Sequence, residues 1–272
     1  MKKVILSLKA AETMSHFLPL AEKLHEAGIG VEAYLAEEDI PAKQEALYIT
    51  DCAAKAMELG THNLSVLGYA HAPGEQFLKI EYIMEQPQDL DVEYLERVFR
   101  RYRGIPWDIL ETRRCILRET TVEDVDTFFE IYREPEIVKY TENLYPEREQ
   151  EKAYIRDYIE KVYKYFEFGV WTVIWKETGE IIGRAGFSVR EGYDLPELGF
   201  VIARPFQRKG IAGEICSAIL EYGRDVLEFE QVQALVIKEN TASLTLCEKL
   251  GFTVRQSVRE KGKDYLLLVR EP

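Results

Sequence analysis

A strand, a tight turn and the start of a helix follow one another within residues 197–213. Residues 198–203 form an apolar run of strand length, and Pro205 ends it because proline has no N–H for a strand ladder. The turn that follows reads Gln-Arg-Lys-Gly-Ile-Ala at 207–212, and from Ile211 onward apolar residues recur at helical spacing. A glycine turn that leads into a helix presents unpaired N–H groups, which is typical of an anion site, most often for phosphate.

Composition argues against several classes of function. The chain carries 35 basic and 48 acidic residues, a formal net charge of −13, which disfavours nucleic acid or an anionic membrane as a partner. No apolar run approaches the roughly 20 residues that span a bilayer, and the first residues do not form a signal peptide. The four cysteines have neither CxxC nor zinc spacing, so we expect no metal and a cytoplasmic protein with reduced thiols.

Strand-like and helix-like segments alternate over residues 1–110, which predicts a small Rossmann-like α/β domain with a mostly parallel sheet. The predicted strands are 4–8, 29–35, 47–51, 64–69 and an edge strand at 77–84, and the predicted helices are 17–27, 39–46, 52–59 and 92–102. A break at 102–107 is predicted to link this domain to a second one, 111–272.

The first 110 residues resemble, faintly, the core of the haloacid-dehalogenase-like hydrolases. Those enzymes need Asp-x-Asp directly after their first strand, whereas this chain reads Ser7-Leu8-Lys9-Ala10 there and keeps only Asp51 at a later acidic position. One carboxylate cannot supply both a covalent nucleophile and a magnesium site, so a phosphohydrolase is disfavoured. We expect a degenerate accessory domain that serves packing, homodimerisation or ligand sensing.

The second domain carries two motifs in a regular succession of elements. The predicted strands are 114–118, 170–175, 181–189, 197–203, 231–237, 252–258 and 264–269, and the predicted helices are 122–132, parts of 135–166, 211–226 and 241–250. Gln207-x-x-Gly210-x-Ala212 precedes the long helix, and Asn240 with Glu-Lys-Leu-Gly-Phe at 248–252 follows it. Together they resemble the GNAT family of N-acetyltransferases, closest to the branch that acetylates protein N-terminal amines and small amines.

That resemblance implies a mixed, largely antiparallel sheet flanked by helices, with acetyl-CoA as cosubstrate. The turn would hold the pyrophosphate through its backbone, and a strand edge would pair with the pantetheine arm. Asn240 would bind the coenzyme arm or cap a helix, and both roles are compatible. The residues expected to bind coenzyme are Phe200, Val201, Ile202, Arg208, Lys209, Gly210, Ile211, Ala212, Gly213 and Asn240.

The resemblance also implies direct attack of a primary amine on the thioester, which needs a base, an oxyanion donor and an acid. Glu197 is the candidate base, often through water in relatives, although a surface carboxylate is an equal alternative. The oxyanion donor would be the N–H of Val201 or Ile202. Many relatives have a tyrosine where this chain has Cys247, so the acid is open among Cys247, Tyr265, other tyrosines and solvent.

The resemblance leaves two kinds of amine acceptor open, a small molecule and a protein N-terminus. One cleft wall is expected from six tyrosines, for which helix packing is an alternative role: Tyr140, Tyr145, Tyr154, Tyr158, Tyr163 and Tyr165. Glu142, Glu147 and Asp194 are expected to attract a cation. The competing hypothesis is an acyl-CoA-binding regulatory or scaffold module that has lost turnover, motivated by Cys247.

Overall fold

The computed structural model describes residues 1–71, 74 and 76–271, and the chain divides into two compact units, one of residues 1–107 and one that begins at Asp108. The role of the first unit as a degenerate accessory domain stays a prediction. Within the described residues, none of the helices combines the length and the apolar character needed to cross a membrane.

The first unit is a five-stranded sheet in the order β2-β1-β3-β4-β5, and each neighbouring pair is parallel. This confirms the predicted parallel sheet. Its strands are β1 Lys3–Leu8, β2 Gly30–Leu35, β3 Ala46–Thr50, β4 Ser65–Tyr69 and β5 Tyr82–Met84. Its α-helices are α1 Leu18–Glu26, α2 Ala53–Thr61 and α3 Val92–Tyr102, and they pack on apolar strands whose central residues are almost fully buried.

Two predictions for the first unit are wrong in detail. Residues 39–44 form no helix, because the hydroxyl of Tyr48 fixes them as a loop: it donates to the carbonyl of Pro41 at 2.7 Å and accepts from the N–H of Lys43 at 2.7 Å. The predicted edge strand at 77–84 is only Tyr82–Met84.

The carboxyl edge of this first sheet is filled by side chains that bind one another. Asp51 follows β3, and it accepts from the N–H of Lys9 at 2.8 Å and contacts Nε2 of His71 at 3.1 Å. Nδ1 of His16 lies 2.8 Å from the hydroxyl of Tyr69, whose ring stacks on His71. The polar groups at this edge therefore satisfy one another.

The second unit is an eight-stranded sheet in the order β12-β13-β11-β10-β9-β8-β7-β6. Every neighbouring pair is antiparallel except β10 with β11, which confirms the mixed, largely antiparallel sheet. Its strands are β6 Asp108–Glu111, β7 Cys115–Arg118, β8 Val170–Trp175, β9 Ile181–Ser188, β10 Glu197–Ile202, β11 Val232–Ile237, β12 Thr253–Glu260 and β13 Lys263–Arg270. The four-residue β6 was not predicted.

In the described part of this unit, the α-helices that flank the sheet are α4 Asp124–Ile131, α5 Pro135–Val138, α6 Arg148–Tyr158, α7 Lys164–Phe166, α8 Ile211–Asp225 and α9 Thr241–Lys249. A π-helical turn, Ile159–Tyr163, joins α6 to α7. The chain that leads into α4 is held by Asp124, whose carboxylate accepts from the N–H of Thr121 at 2.9 Å. Asp124 is buried and also pairs with both terminal nitrogens of Arg118, which fixes this helix to the sheet.

Candidate active site

Strands β10 and β11 are parallel neighbours that pair at one position only. Glu197 lies opposite Gln233, whose N–H donates to the carbonyl of Pro196 at 2.9 Å. Beyond this point the two strands diverge, and residues 198–201 and 234–237 line a cavity of about 490 Å³. A parallel ladder that opens after one pair leaves main-chain donors and acceptors without strand partners, which suits an extended ligand.

The N–H groups of β10 alternate between β9 and this gap. The N–H of Ala203 donates to the carbonyl of Ile182 at 2.7 Å, and the register continues to Val201 opposite Arg184. Because hydrogen-bonded pairs alternate with non-hydrogen-bonded ones in an antiparallel ladder, Val201 and Arg184 exchange both main-chain bonds. The N–H of Val201 is therefore directed at β9 and away from the gap.

The neighbouring residues Phe200 and Ile202 have the opposite orientation. Each is a non-hydrogen-bonded position relative to β9, so its N–H faces the gap. The carbonyl of Ile202 accepts from Nε2 of Gln207 at 2.8 Å, so the first residue of the glycine turn ends the strand. Of the two predicted oxyanion donors, Ile202 is the one whose N–H is directed away from β9, whereas Val201 is the one that contacts the cavity.

The glycine turn after β10 has the left-handed conformation at two residues. Arg208 has φ +59° and Gly210 has φ +74°, and Gly210 is the N-cap residue of α8. A β-carbon added to Gly210 would have only Nη2 of Arg114 within 4 Å, at 3.8 Å. The space beside the turn is therefore open to a ligand. The side chains of Arg208 and Lys209 are exposed, and the first N–H groups of α8 have no acceptor inside the helix.

An ion pair between Arg114 and Glu214, which the sequence did not predict, holds the glycine turn in place. Nη1 of Arg114 donates to the carbonyl of Lys209 at 2.9 Å, and its Nε donates to Glu214 at 2.7 Å. The same carboxylate accepts from the N–H of Arg114 at 2.8 Å and from the hydroxyl of Thr112 at 2.7 Å. Glu214 lies in the first turn of α8, where a negative charge also interacts favourably with the helix dipole.

The opposite wall of the cavity comes from β11 and α9. Asn240 lines the cavity and is also the N-cap of α9, because its Oδ1 accepts from the N–H of Ser243 at 3.2 Å. Cys247, two turns later, lines the same cavity although only 1% of its surface is exposed. Burial raises the pKa of the Cys247 thiol to about 11, so this group is protonated at neutral pH.

Glu197 stands at the start of β10 and lines the cavity, but its carboxylate is held by a cation. Nε of Arg190 donates to one carboxylate oxygen, and Nη2 donates to the other at 3.0 Å. The hydrogen bonds that Arg190 donates to Glu197 hold the pKa of Arg190 above its ordinary value. Arg190 also lies 3.5 Å from Glu142 and from Glu260. Glu197 is 7% exposed and Arg190 is half-buried, and the sequence had not indicated that the two residues pair.

The tyrosine-rich segment supplies part of the predicted wall. Tyr140, Tyr145, Tyr154 and Tyr158 line the cavity, together with Tyr132, which lay outside the predicted set. Two predicted members lie elsewhere. The ring of Tyr163 is buried in the core, where its hydroxyl donates to the carbonyl of Val170 at 2.6 Å, and Tyr165 is 79% exposed.

Of the remaining candidate residues, some line the cavity and others lie elsewhere. Tyr265 and Glu142 line the cavity. Glu147 precedes α6 as its N-cap residue and, like Asp194, is not among the cavity-lining residues in the part of the chain that the structure describes. Within that part, no three His, Cys, Asp or Glu side chains lie close enough together to hold a metal ion.

Comparison with known proteins agrees with this geometry. A family model described as an acetyltransferase (GNAT) domain matches residues 114–253, half of the chain. The uncharacterized N-acetyltransferase p20 of Bacillus licheniformis is 31% identical over 166 residues, which cover 59% of this chain and 92% of that protein. The ribosomal protein uS5-alanine N-acetyltransferase of Escherichia coli is 28% identical over 177 residues, which cover 61% and 88%.

Solved structures share the fold of the second unit. A GnaT-family acetyltransferase from Bordetella pertussis aligns with a TM-score of 0.52 and 26% identity, and the alignment covers 59% of this chain and 98% of that one. The matched region contains the one-pair junction of β10 with β11, the glycine turn and α9. The chain therefore belongs to the GNAT acetyltransferase family.

Proposed function

We propose that this protein transfers the acetyl group of acetyl-CoA to a primary amine. The observation that carries the proposal is the junction of β10 with β11, which pairs once and then opens beside a glycine turn and a helix N-terminus. GNAT acetyltransferases use acetyl-CoA, and an opened ladder next to an anion site fits a coenzyme with an extended amide arm and a pyrophosphate.

In this proposal the main chain does most of the coenzyme binding. The N–H groups of residues 208–213 receive the pyrophosphate, and the gap-facing groups of Phe200 pair with the pantetheine arm. The open space beside Gly210 accommodates the phosphate oxygens. Asn240 binds the coenzyme arm through the side-chain atoms that do not cap α9. The N–H of Val201 does not bind the coenzyme in this proposal, because it is directed at β9.

The chemical step is direct attack of the amine nitrogen on the thioester carbon. A carbon–nitrogen bond forms, the carbon–sulfur bond breaks, and the N–H of Ile202 stabilises the negative charge on the carbonyl oxygen. Glu197 takes the amine proton through a water molecule, since Arg190 already occupies both of its oxygens. Cys247 returns a proton to the departing thiolate. With a pKa of about 11 against about 8.5 for an ordinary thiol, that proton transfer is uphill by roughly 3 kcal/mol, so its contribution to the rate is small.

The proposal also covers where the reaction takes place and which class of acceptor it uses. All four cysteines are free and three of them are buried, which supports the cytoplasmic location predicted from the sequence. The acceptor class in this proposal is a small amine or a protein N-terminus. A relative named as a ribosomal protein alanine N-acetyltransferase supports the second of these.

The decisive experiment is isothermal titration of the protein with CoA and with acetyl-CoA, followed by a thiol-release assay over a panel of primary amines. We expect binding of both coenzymes and amine-dependent release of CoA. An absence of coenzyme binding would sink the proposal.

One observation favours a second function, an acyl-CoA-binding module without turnover. Both oxygens of the candidate base accept from Arg190, and the candidate acid has a raised pKa. This alternative predicts coenzyme binding with no thiol release from any amine. An Arg190→Gln variant separates the two functions, because it frees Glu197. This substitution changes the rate of thiol release by a working enzyme, whereas a binding module releases no thiol with or without it.

A further inference from the structure

Arg184 is a cavity-lining cation that has no ion pair among the residues the structure describes. It lies in the middle of β9, and its guanidinium carbon is 4.9 Å from the centre of the Phe128 ring. Its guanidinium is hydrogen-bonded to the side chain of Tyr132, and the hydroxyls of Tyr158 and Tyr163 and the carboxylate of Glu151 are its other electrostatic neighbours. Glu151 does not reach ion-pair distance.

The carboxylate of Glu151 is already used within the fold. Glu151 is 2% exposed, and one of its oxygens accepts from the N–H of Tyr145 at 2.9 Å. Arg118 and Arg190, in contrast, each bind a carboxylate through two nitrogens. Within the part of the chain that the structure describes, Arg184 is thus a cavity arginine without such a partner.

Stability alone does not explain a guanidinium at this place. Arg184 is only partly exposed, and shielding a cation from water without an ion pair is unfavourable, whereas an apolar side chain of similar length would be neutral or favourable on the apolar surface of Phe128. Arginine is, however, the side chain best suited to bind a carboxylate through two parallel hydrogen bonds. The missing partner of Arg184 is therefore expected from a ligand.

The position of Arg184 relates this ligand to the reaction. Arg184 forms a hydrogen-bonded pair with Val201, a type of pair whose Cα atoms lie about 5.5 Å apart. On either side of Val201, the N–H groups of Phe200 and Ile202 face the gap in which the proposed function places the thioester. A carboxylate on Arg184 would thus lie a few bonds away from the attacking amine.

Resting on the proposed function, we propose that the acceptor is an amino-carboxylate whose carboxylate binds Arg184 in the acceptor half of the cavity. Tyr158 supports the anion, because its hydroxyl accepts from the N–H of Val170 at 2.9 Å and keeps its own proton for another acceptor. The ammonium group then lies toward Glu197 and Glu142. The cavity provides separate places for the two charges of one zwitterion.

The carboxylate has two sources with the same chemistry. It is the α-carboxylate of a free amino acid, or it is the side chain of an Asp or Glu that begins a peptide. Three arms distinguish them: free amino acids with their carboxamides and decarboxylated amines, C-terminally amidated peptides that begin with Asp or Glu, and the matching peptides that begin with Asn or Gln.

The test measures both acetyl transfer and binding to the CoA complex for these arms. In the unmutated protein we expect kcat/KM for the carboxylate members to exceed that of their neutral partners by about 100-fold, because a neutral ligand leaves the partly shielded charge of Arg184 without an ion pair. Binding to the CoA complex, followed by isothermal titration, should show the same order. Because binding needs no turnover, this readout separates failure of the inference from failure of the proposed function.

Two variants complete the test. Arg184→Met should reduce the preference for carboxylates to less than about fivefold, with unchanged CoA affinity and no loss of thermal stability. Arg184→Lys should restore part of the preference, and the comparison of ligands in the unmutated protein stands even if a variant misfolds. Equal binding of carboxylates and carboxamides, or an Arg184→Met variant that keeps the preference, overturns the inference.

Discussion

Each unit of this protein contains a central pair of parallel strands, and the two pairs end differently. In the first unit β1 and β3 stay paired over five positions, from Lys3 opposite Ala46 to Ser7 opposite Thr50. In the second unit β10 and β11 pair once, at Glu197, and then diverge around a cavity. Parallel strands alone therefore do not make a site. The site arises where the ladder stops while the strands continue.

The side chains at the two places differ in the opposite way. The closed edge of the first unit carries residues that look chemically active, namely Asp51, His71, His16 and Tyr69, but they satisfy one another. The open gap of the second unit presents main-chain groups, which every residue type has. Residue types that can do chemistry are thus a poorer guide to this site than the path of the backbone.

The largest effect that would sharpen this comparison is expected at Gly210. Gly210→Ala places a methyl group in the open space of the turn, where the phosphates are proposed to bind, and we expect CoA affinity to fall by about 100-fold. Gly179 is a matched control, since it has the same φ of +74° in the turn between β8 and β9 and nothing within 4 Å. Gly179→Ala should show the same strain of about 1 kcal/mol and normal affinity in titrations. Equal losses in both variants would remove the special role of the turn.

The next effect concerns the backbone of the open strand itself. Hydrogen exchange measured by NMR should find the N–H of Phe200 exchanging quickly without ligand, and CoA should slow it by about tenfold or more. The N–H of Val201 should be slow in both states, because it bonds to β9. In the first unit, neighbouring residues of β1 such as Ile5 and Leu6 should be slow without any ligand. Slow exchange at Phe200 before CoA is added would contradict an open ladder.

A smaller effect is expected at the wall of the cavity. Cys247→Ala should lower kcat by about tenfold, less than a general acid usually contributes, because the raised pKa makes Cys247 a reluctant donor. Cys216 is the matched control: it is equally buried, burial also raises its pKa, and it does not line the cavity. Cys216→Ala should keep kcat in the same steady-state assay. A loss beyond about 1,000-fold at Cys247 would make the thiol an essential acid.

The smallest effect is expected from removing the closed sheet altogether. Residues 108–272 expressed alone should bind CoA with an affinity within about twofold of the full chain, because domains of this kind generally fold independently. The relative p20 supports this, since the matched region makes up 92% of its length. Titration of both proteins is the measurement. A large loss of affinity in the shorter protein would show that the first unit takes part in coenzyme binding.

The sequence predicted the parts of the fold that depend on local signals. Helical spacing from Ile211 located α8, and the N-cap Asn240 located α9. Local signals failed where a specific side-chain hydrogen bond decides the outcome. Residues 39–44 are a loop because of Tyr48, and no spacing could show that.

The candidate site likewise combines features that a local sequence signal predicted with features that it did not. The coenzyme turn was predictable because its motif is contiguous, whereas the pairing of Arg190 with Glu197 and the position of Arg184 beside the cavity depend on how β9 and the loop after it align with β10. The direction of the Val201 N–H is likewise a matter of register. An alternation of polar and apolar residues would have indicated it only in a strand with one solvent-exposed face.

The alternating N–H directions along β10 have a consequence for how such a protein diversifies. The side chain of Val201 packs with Phe128 and Ile131 in the core, while the main chain of its neighbours faces the proposed coenzyme. Selection on core packing and selection on the acetyl donor therefore act on different atoms of one strand. Substitutions can accumulate there without altering the donor site, and new acceptors can arise through β9 and the tyrosine-rich helix alone. A lineage built in this way can keep one cosubstrate through many changes of substrate.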